Sequence, residues 1–140
     1  VVIGSSKELE MLKKLGNVAA LCREKGIPLL AEMLLSKNKI ENKNVKTIAR
    51  IGAELGADII KTYYTGDLQS FKEVIDGCPV PIVILGGKVK SNLEELFESV
   101  KDAIEAGASG IAFGRNIWMN ENPNAVLESL RKIIHGRHIP

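Results

Sequence analysis

A parallel α/β fold is what this sequence predicts, on three observations. Short apolar runs recur, at residues 1–3, 28–35, 58–61, 81–85 and 110–113, and β-branched side chains are frequent in them. Between the runs lie stretches with apolar residues at i, i+3, i+4 and i+7, the signature of amphipathic helices. The runs themselves are nearly unbroken, as in Ile82, Val83, Ile84 and Leu85, which is the pattern of parallel strands buried on both faces rather than of half-solvated antiparallel ones.

The first strand, 1–3, leads into a helix read from Leu9, Leu12, Leu15, Val18 and Leu21, with Ser5 or Ser6 as cap and Gly26 as stop. Residues 28–35 then form the second strand. A helix over 45–55 ends at Gly56, and the third strand, 58–61, closes on Lys61. The fourth strand, 81–85, runs into Gly86 and Gly87. A helix over 93–104, entered through Ser91 and Asn92 and left at Gly107, delivers the fifth strand, 110–113, which ends at Gly114, Arg115 and Asn116. Helices must cover one side of such a sheet. Its other side is covered by barrel closure or by a second layer of helices, and periodicity does not choose between them.

Composition narrows the function. The 140 residues are 45% hydrophobic and 26% charged, with a formal net charge of +2. That is an ordinary globular composition, with acidic and basic residues interleaved and no basic stripe for nucleic acid. The sequence lacks an apolar run of the roughly 18 residues that a membrane span needs. A cytoplasmic protein without nucleic-acid or membrane partners is expected. Cys22 and Cys78 match no metal-ligand or redox spacing and read as small buried filler. His135 and His138 read as solvated residues of a polar tail after the last helix. No metal and no organic cofactor is called for.

The chemistry-bearing residues fall where strands end, the rim at which α/β folds bind ligands. If Ile59 and Lys61 share one face of their strand, Ile60 faces the helices. Lys61 is then an amine among aliphatics, where burial favours the neutral form that adds to a carbonyl and makes a Schiff base. Position alone favours a plainer role, an ammonium in solvent or paired with Asp58 or Asp67. Gly86 and Gly87 leave backbone N–H groups open to an anion, and Gly114 with Arg115 repeats the arrangement on the next strand. Each glycine turn singly is more often just a tight turn. Together the two suit a phosphorylated substrate.

Three segments in order carry a family resemblance: Asp-Ile-Ile-Lys-Thr-Tyr-Tyr-Thr-Gly-Asp at 58–67, Cys-Pro-Val-Pro-Ile-Val-Ile-Leu-Gly-Gly at 78–87, and Ala-Gly-Ala-Ser-Gly-Ile-Ala-Phe-Gly-Arg-Asn-Ile-Trp at 106–118. They resemble archaeal-type class I fructose-bisphosphate aldolases and their relatives, aminodideoxyheptulosonate synthase and autoinducer-2 phosphate thiolase. The resemblance runs along essentially the whole chain. It implies a partial (β/α)8 TIM barrel, about strands four to eight with their helices, filling residues 1–140 as the C-terminal part of such a barrel. It also implies a Schiff-base carbon–carbon lyase with catalytic Lys61, phosphate held by Gly86, Gly87, Gly114 and Arg115, a phosphorylated sugar or ketone as substrate, and a homo-oligomer.

Two departures accompany it. Residues of the first three strands, including an aspartate that assists proton transfer, have no counterpart; the chain is either a piece of a longer protein or a half-length relative that completes its barrel by association. And Leu34, in Glu32-Met-Leu-Leu-Ser36, stands where the aldolase branch has an acid/base tyrosine. Leucine moves no proton. Glu32, Tyr63 and Tyr64 are the candidates to replace it, though for Glu32 a strand carboxylate facing a helix or pairing with lysine is the more ordinary arrangement. The thiolase branch also lacks that tyrosine, so an acyl-transfer or condensation reaction stays open beside aldol cleavage, as does a noncatalytic half-barrel that binds phosphate.

Overall fold

The computed structural model describes residues 1–36, 42–89 and 92–136. In chain order the elements are β1 (Val2–Ile3), α1 (Glu8–Lys25), β2 (Leu30–Glu32), β3 (Leu34–Leu35), α2 (Asn42–Glu54), β4 (Ile59–Thr62), α3 (Leu68–Asp76), β5 (Ile82–Leu85), α4 (Leu93–Ala106), β6 (Gly110–Ala112), α5 (Arg115–Trp118) and α6 (Pro123–His135). Every strand pair is parallel, as the continuous apolar runs require. The order is β1-β3 in one sheet and β2-β4-β5-β6 in the other.

The single strand expected over 28–35 is thus two, and Met33 is the reason. Its N–H donates to the Lys61 carbonyl at 2.9 Å, continuing the β2–β4 ladder. Its own carbonyl accepts instead from the buried Thr62 hydroxyl, also at 2.9 Å. One residue later Leu34 N–H turns to the Val1 carbonyl at 2.8 Å. The segment therefore pairs with β4 through its first half and with β1 through its second.

Burial alternates along β2 to β5. Ala31, Met33, Leu35, Ile60, Thr62, Ile82 and Ile84 are buried, whereas Glu32, Leu34, Ile59, Lys61, Val83 and Leu85 are not. The buried set faces the helices, joining Ile48 and Ala49 of α2, Phe71 and Val74 of α3 and Val100 and Ala103 of α4 in one core. The apolar runs predict burial on both faces; the helix side is fully buried, and Leu34, Lys61, Val83 and Leu85 on the other side are half-buried. Right-handed crossovers between strands that advance in one direction set the helices on the one side.

Helix ends follow local chemistry, with differences from expectation. Gly26 and Gly107 take left-handed conformations at the ends of α1 and α4, with φ of 66° and 114°. Neither Ser5 nor Ser6 caps α1. Ser5 turns its hydroxyl back to the Val2 carbonyl, and Lys7 holds the cap position without a side-chain bond. Ser91 lies outside the described residues, and Asn92 caps α4 by accepting from Glu94 N–H at 2.8 Å. His135 is the last residue of α6, not part of a tail, and His138 lies outside the described residues. Cys22 and Cys78 are free thiols and only partly buried, though Cys78 packs against the core; burial pushes the Cys78 thiol up. Among the described residues, no helix is long and apolar enough to cross a membrane.

Candidate active site

Parallel register places the site. Glu32 of β2 lies opposite Lys61 of β4, Lys61 opposite Val83 of β5, and Leu85 opposite Ala112 of β6. These residues share the face turned away from the helices. Past their C-terminal ends the chain turns through Gly86 and Gly87 and through Gly114 and Arg115. All five residues singled out from the sequence, Lys61, Gly86, Gly87, Gly114 and Arg115, line one cavity of about 420 Å³. Glu32, Leu34, Tyr63, Asn116 and Trp118 complete much of its wall.

Lys61 is not enclosed by aliphatics alone. Its Nζ forms an ion pair with Glu32 Oε1 at 2.9 Å, and the two side chains are 25% and 45% exposed. The partner is neither of the aspartates weighed for it. Asp58 accepts from Leu29 N–H at 2.8 Å, and Asp67 caps α3 by accepting from Ser70 N–H at 2.9 Å. The Ser70 hydroxyl, which also donates to the Asp67 carboxyl, and then the Ser70 N–H hold it below its ordinary range. Both aspartates are thus committed to backbone.

The two glycine turns are tied together by residues that follow them. Arg115 donates from Nη2 to the Gly87 carbonyl at 3.1 Å, and Asn116 donates from Nδ2 to the Gly86 and Lys88 carbonyls at 2.7 and 3.2 Å. Asn116 is buried. Sequence reasoning had it only as part of a polar cluster, because a cross-strand tie of this span leaves no local pattern. Gly87 has φ of 61°, a left-handed turn that a side chain would strain. At Gly86 the constraint is space, since a Cβ there would sit 3.1 Å from both Asn116 Nδ2 and the Phe113 ring.

The adjacent tyrosines divide. Tyr63 lines the Lys61 cavity. Tyr64 instead stacks edge-on against Phe71, with centroids 5.3 Å apart at 74°, and its hydroxyl donates to Asp102 Oδ2 at 3.4 Å. Burial, then the Asp102 charge, pushes the Tyr64 phenol up to about 12 from 10.0. Because the folded state favours the neutral phenol, this contribution to stability is intact below pH 10 and is lost as pH rises toward about 12. Denaturant unfolding followed across that window should show a steeper alkaline fall for the unmodified chain than for Tyr64→Phe. Equal slopes would contradict it.

Comparison with known proteins adds identity to geometry. A family model described as "DeoC/LacD family aldolase" matches residues 1–120. The 2-amino-3,7-dideoxy-D-threo-hept-6-ulosonate synthase 1 of Archaeoglobus fulgidus is 42% identical over 138 residues, 97% of this chain and 51% of that protein. A 3-hydroxy-5-phosphonooxypentane-2,4-dione thiolase of Shigella flexneri is 38% identical over 136 residues, 96% of this chain and 52% of that protein. An archaeal fructose 1,6-bisphosphate aldolase superimposes with a TM-score of 0.90 at 30% identity, covering 96% of this chain and 56% of that one. The chain spans about half the length of the curated relatives it matches.

Proposed function

The chain belongs to the DeoC/LacD aldolase family, and from that membership we propose that it serves a Schiff-base aldolase acting on a phosphorylated ketose-like substrate, with Lys61 as the imine-forming amine. The observation that carries the reading is the shared cavity: Lys61 and both glycine turns open onto one space of about 420 Å³. An amine there adds to a ketone carbon, and loss of water leaves an iminium that accepts electrons when the neighbouring carbon–carbon bond breaks. The phosphate sits at the rim, against Gly86, Gly87, Gly114 and Arg115. In this reading β1, β2 together with β3, β4, β5 and β6 supply strands four to eight of a (β/α)8 barrel, and their half-exposed face is the lumen wall. Further β/α units, from the same chain or from association into a homo-oligomer, close it in the cell interior.

Support for the substrate class comes from the relatives, since a bisphosphate aldolase and a thiolase for a phosphonooxy dione are both similar to this chain. Leu34 in the cavity wall favours a second reading, a transferase that cleaves or joins by acyl transfer. Leucine offers no proton where an aldol cleavage needs one.

The test is reduction of the imine. The chain is incubated with dihydroxyacetone phosphate and sodium borohydride, digested, and weighed by mass spectrometry. A reduced adduct on the Lys61 peptide is expected; a modified lysine elsewhere, or none, defeats the assignment.

Arg115 gives a separate expectation. Arg115→Ala should raise KM for phosphorylated substrate about 10- to 100-fold, the worth of a lost charge-assisted bond. Adduct formation with unphosphorylated dihydroxyacetone should stay the same. A parallel loss with both compounds would place Arg115 away from the phosphate.

A further inference from the structure

We infer that Glu32 is the catalytic acid/base that passes protons between Lys61 and the substrate oxygen, an assignment that rests on Lys61 being the imine-forming amine. The argument begins with register: Glu32 and Lys61 lie directly opposite on adjacent parallel strands, which fixes both side chains on the same face. Their charged atoms are 2.9 Å apart, within reach of direct proton transfer. Glu32 is the one carboxylate among the described residues lining the cavity, and Leu34, two residues on along the same face, carries no proton. Asp58 and Asp67 are committed to backbone N–H groups, and Tyr64 to Asp102. Structural use alone explains Glu32 poorly, because an ion pair this exposed contributes little to stability.

The proton balance closes with these two groups alone. Glu32 takes a proton from the Lys61 ammonium, leaving a neutral amine and a carboxylic acid. The amine lone pair bonds to the ketone carbon as the C=O π pair moves to oxygen. Glu32 gives its proton to that oxygen and takes one from the new C–N⁺ centre, which yields the neutral carbinolamine. Glu32 then protonates the carbinolamine hydroxyl, which leaves as water while the nitrogen lone pair forms C=N⁺. The carboxylate is regenerated, and of the three ammonium protons two leave in water and one stays on the iminium.

Exchange of ¹⁸O from the labelled carbonyl of dihydroxyacetone phosphate reads these steps without requiring carbon–carbon cleavage. The Lys61-dependent exchange rate should fall about 100-fold or more in Glu32→Gln, with circular dichroism and binding of inorganic phosphate unchanged. In Glu32→Ala, added formate should restore exchange in proportion to its concentration, which a purely positioning role would not allow. Wild-type exchange in Glu32→Gln, or folded Glu32→Ala that formate does not rescue, overturns the inference and leaves Lys61 standing. Absence of Lys61-dependent exchange in the unmodified chain overturns both.

Discussion

Replacing Lys61 by methionine or arginine should abolish the borohydride adduct and lower turnover by about 10⁴-fold or more, as loss of a nucleophile does. Methionine keeps the length and apolar stem but has no amine. Arginine keeps the charge, and with it a partner for Glu32, but its guanidinium does not deprotonate and so adds to no carbonyl. The pair of variants therefore separates nucleophile from cation. Folding should survive both changes, because the Lys61–Glu32 pair, at 25% and 45% exposure, contributes only about 0–1 kcal/mol. Urea unfolding checks that the proteins compared are equally folded. Turnover by Lys61→Arg near that of the unmodified protein would end the Schiff-base reading.

Truncating Phe71 to alanine should cost about 4 kcal/mol of stability, the largest single effect expected in the core. Phe71 is fully buried on α3, and it holds the ring of Tyr64 edge-on at 5.3 Å. Its removal leaves a cavity between the helix layer and the end of β4, and forfeits an aromatic contact of about 1 kcal/mol. Against a total stability of about 5–15 kcal/mol for a typical domain this is a large share. The denaturant midpoint should fall sharply with the slope unchanged, whereas Phe71→Leu, which refills most of the volume, should recover most of the loss. A cost below 1 kcal/mol for alanine would show that α3 is not anchored through this residue. The cavity should feel the same change, because Tyr64 follows Tyr63, and Tyr63 lines it together with Lys61.

Much of the fold was readable in advance because its determinants are local. Apolar runs specify strands, spacing of three and four specifies helices, and a glycine such as Gly26 or Gly107 stops a helix by taking a left-handed turn that other residues resist. The site could be anticipated for a related reason. Lys61 lies near the C-terminal end of β4, the Gly86–Gly87 and Gly114–Arg115 turns lie just past β5 and β6, and parallel strands bring their C-terminal ends to one rim.

Order of residues along the chain thus determined the element types, the parallel pairing and which turns would meet. Tertiary structure decided the rest, and in each case the partner is distant in sequence. Lys61 found Glu32 rather than Asp58 or Asp67 because register across the β2–β4 pair, not proximity along the chain, sets which carboxylate faces it. Asn116 became the tie between two turns because its amide reaches carbonyls some thirty residues away. Met33 split one expected strand into two when Thr62 captured its carbonyl. A pattern of hydrophobicity encodes which face a residue takes; it does not encode what the face across from it will hold, and charged and hydrogen-bonding groups take their chemistry from that neighbour.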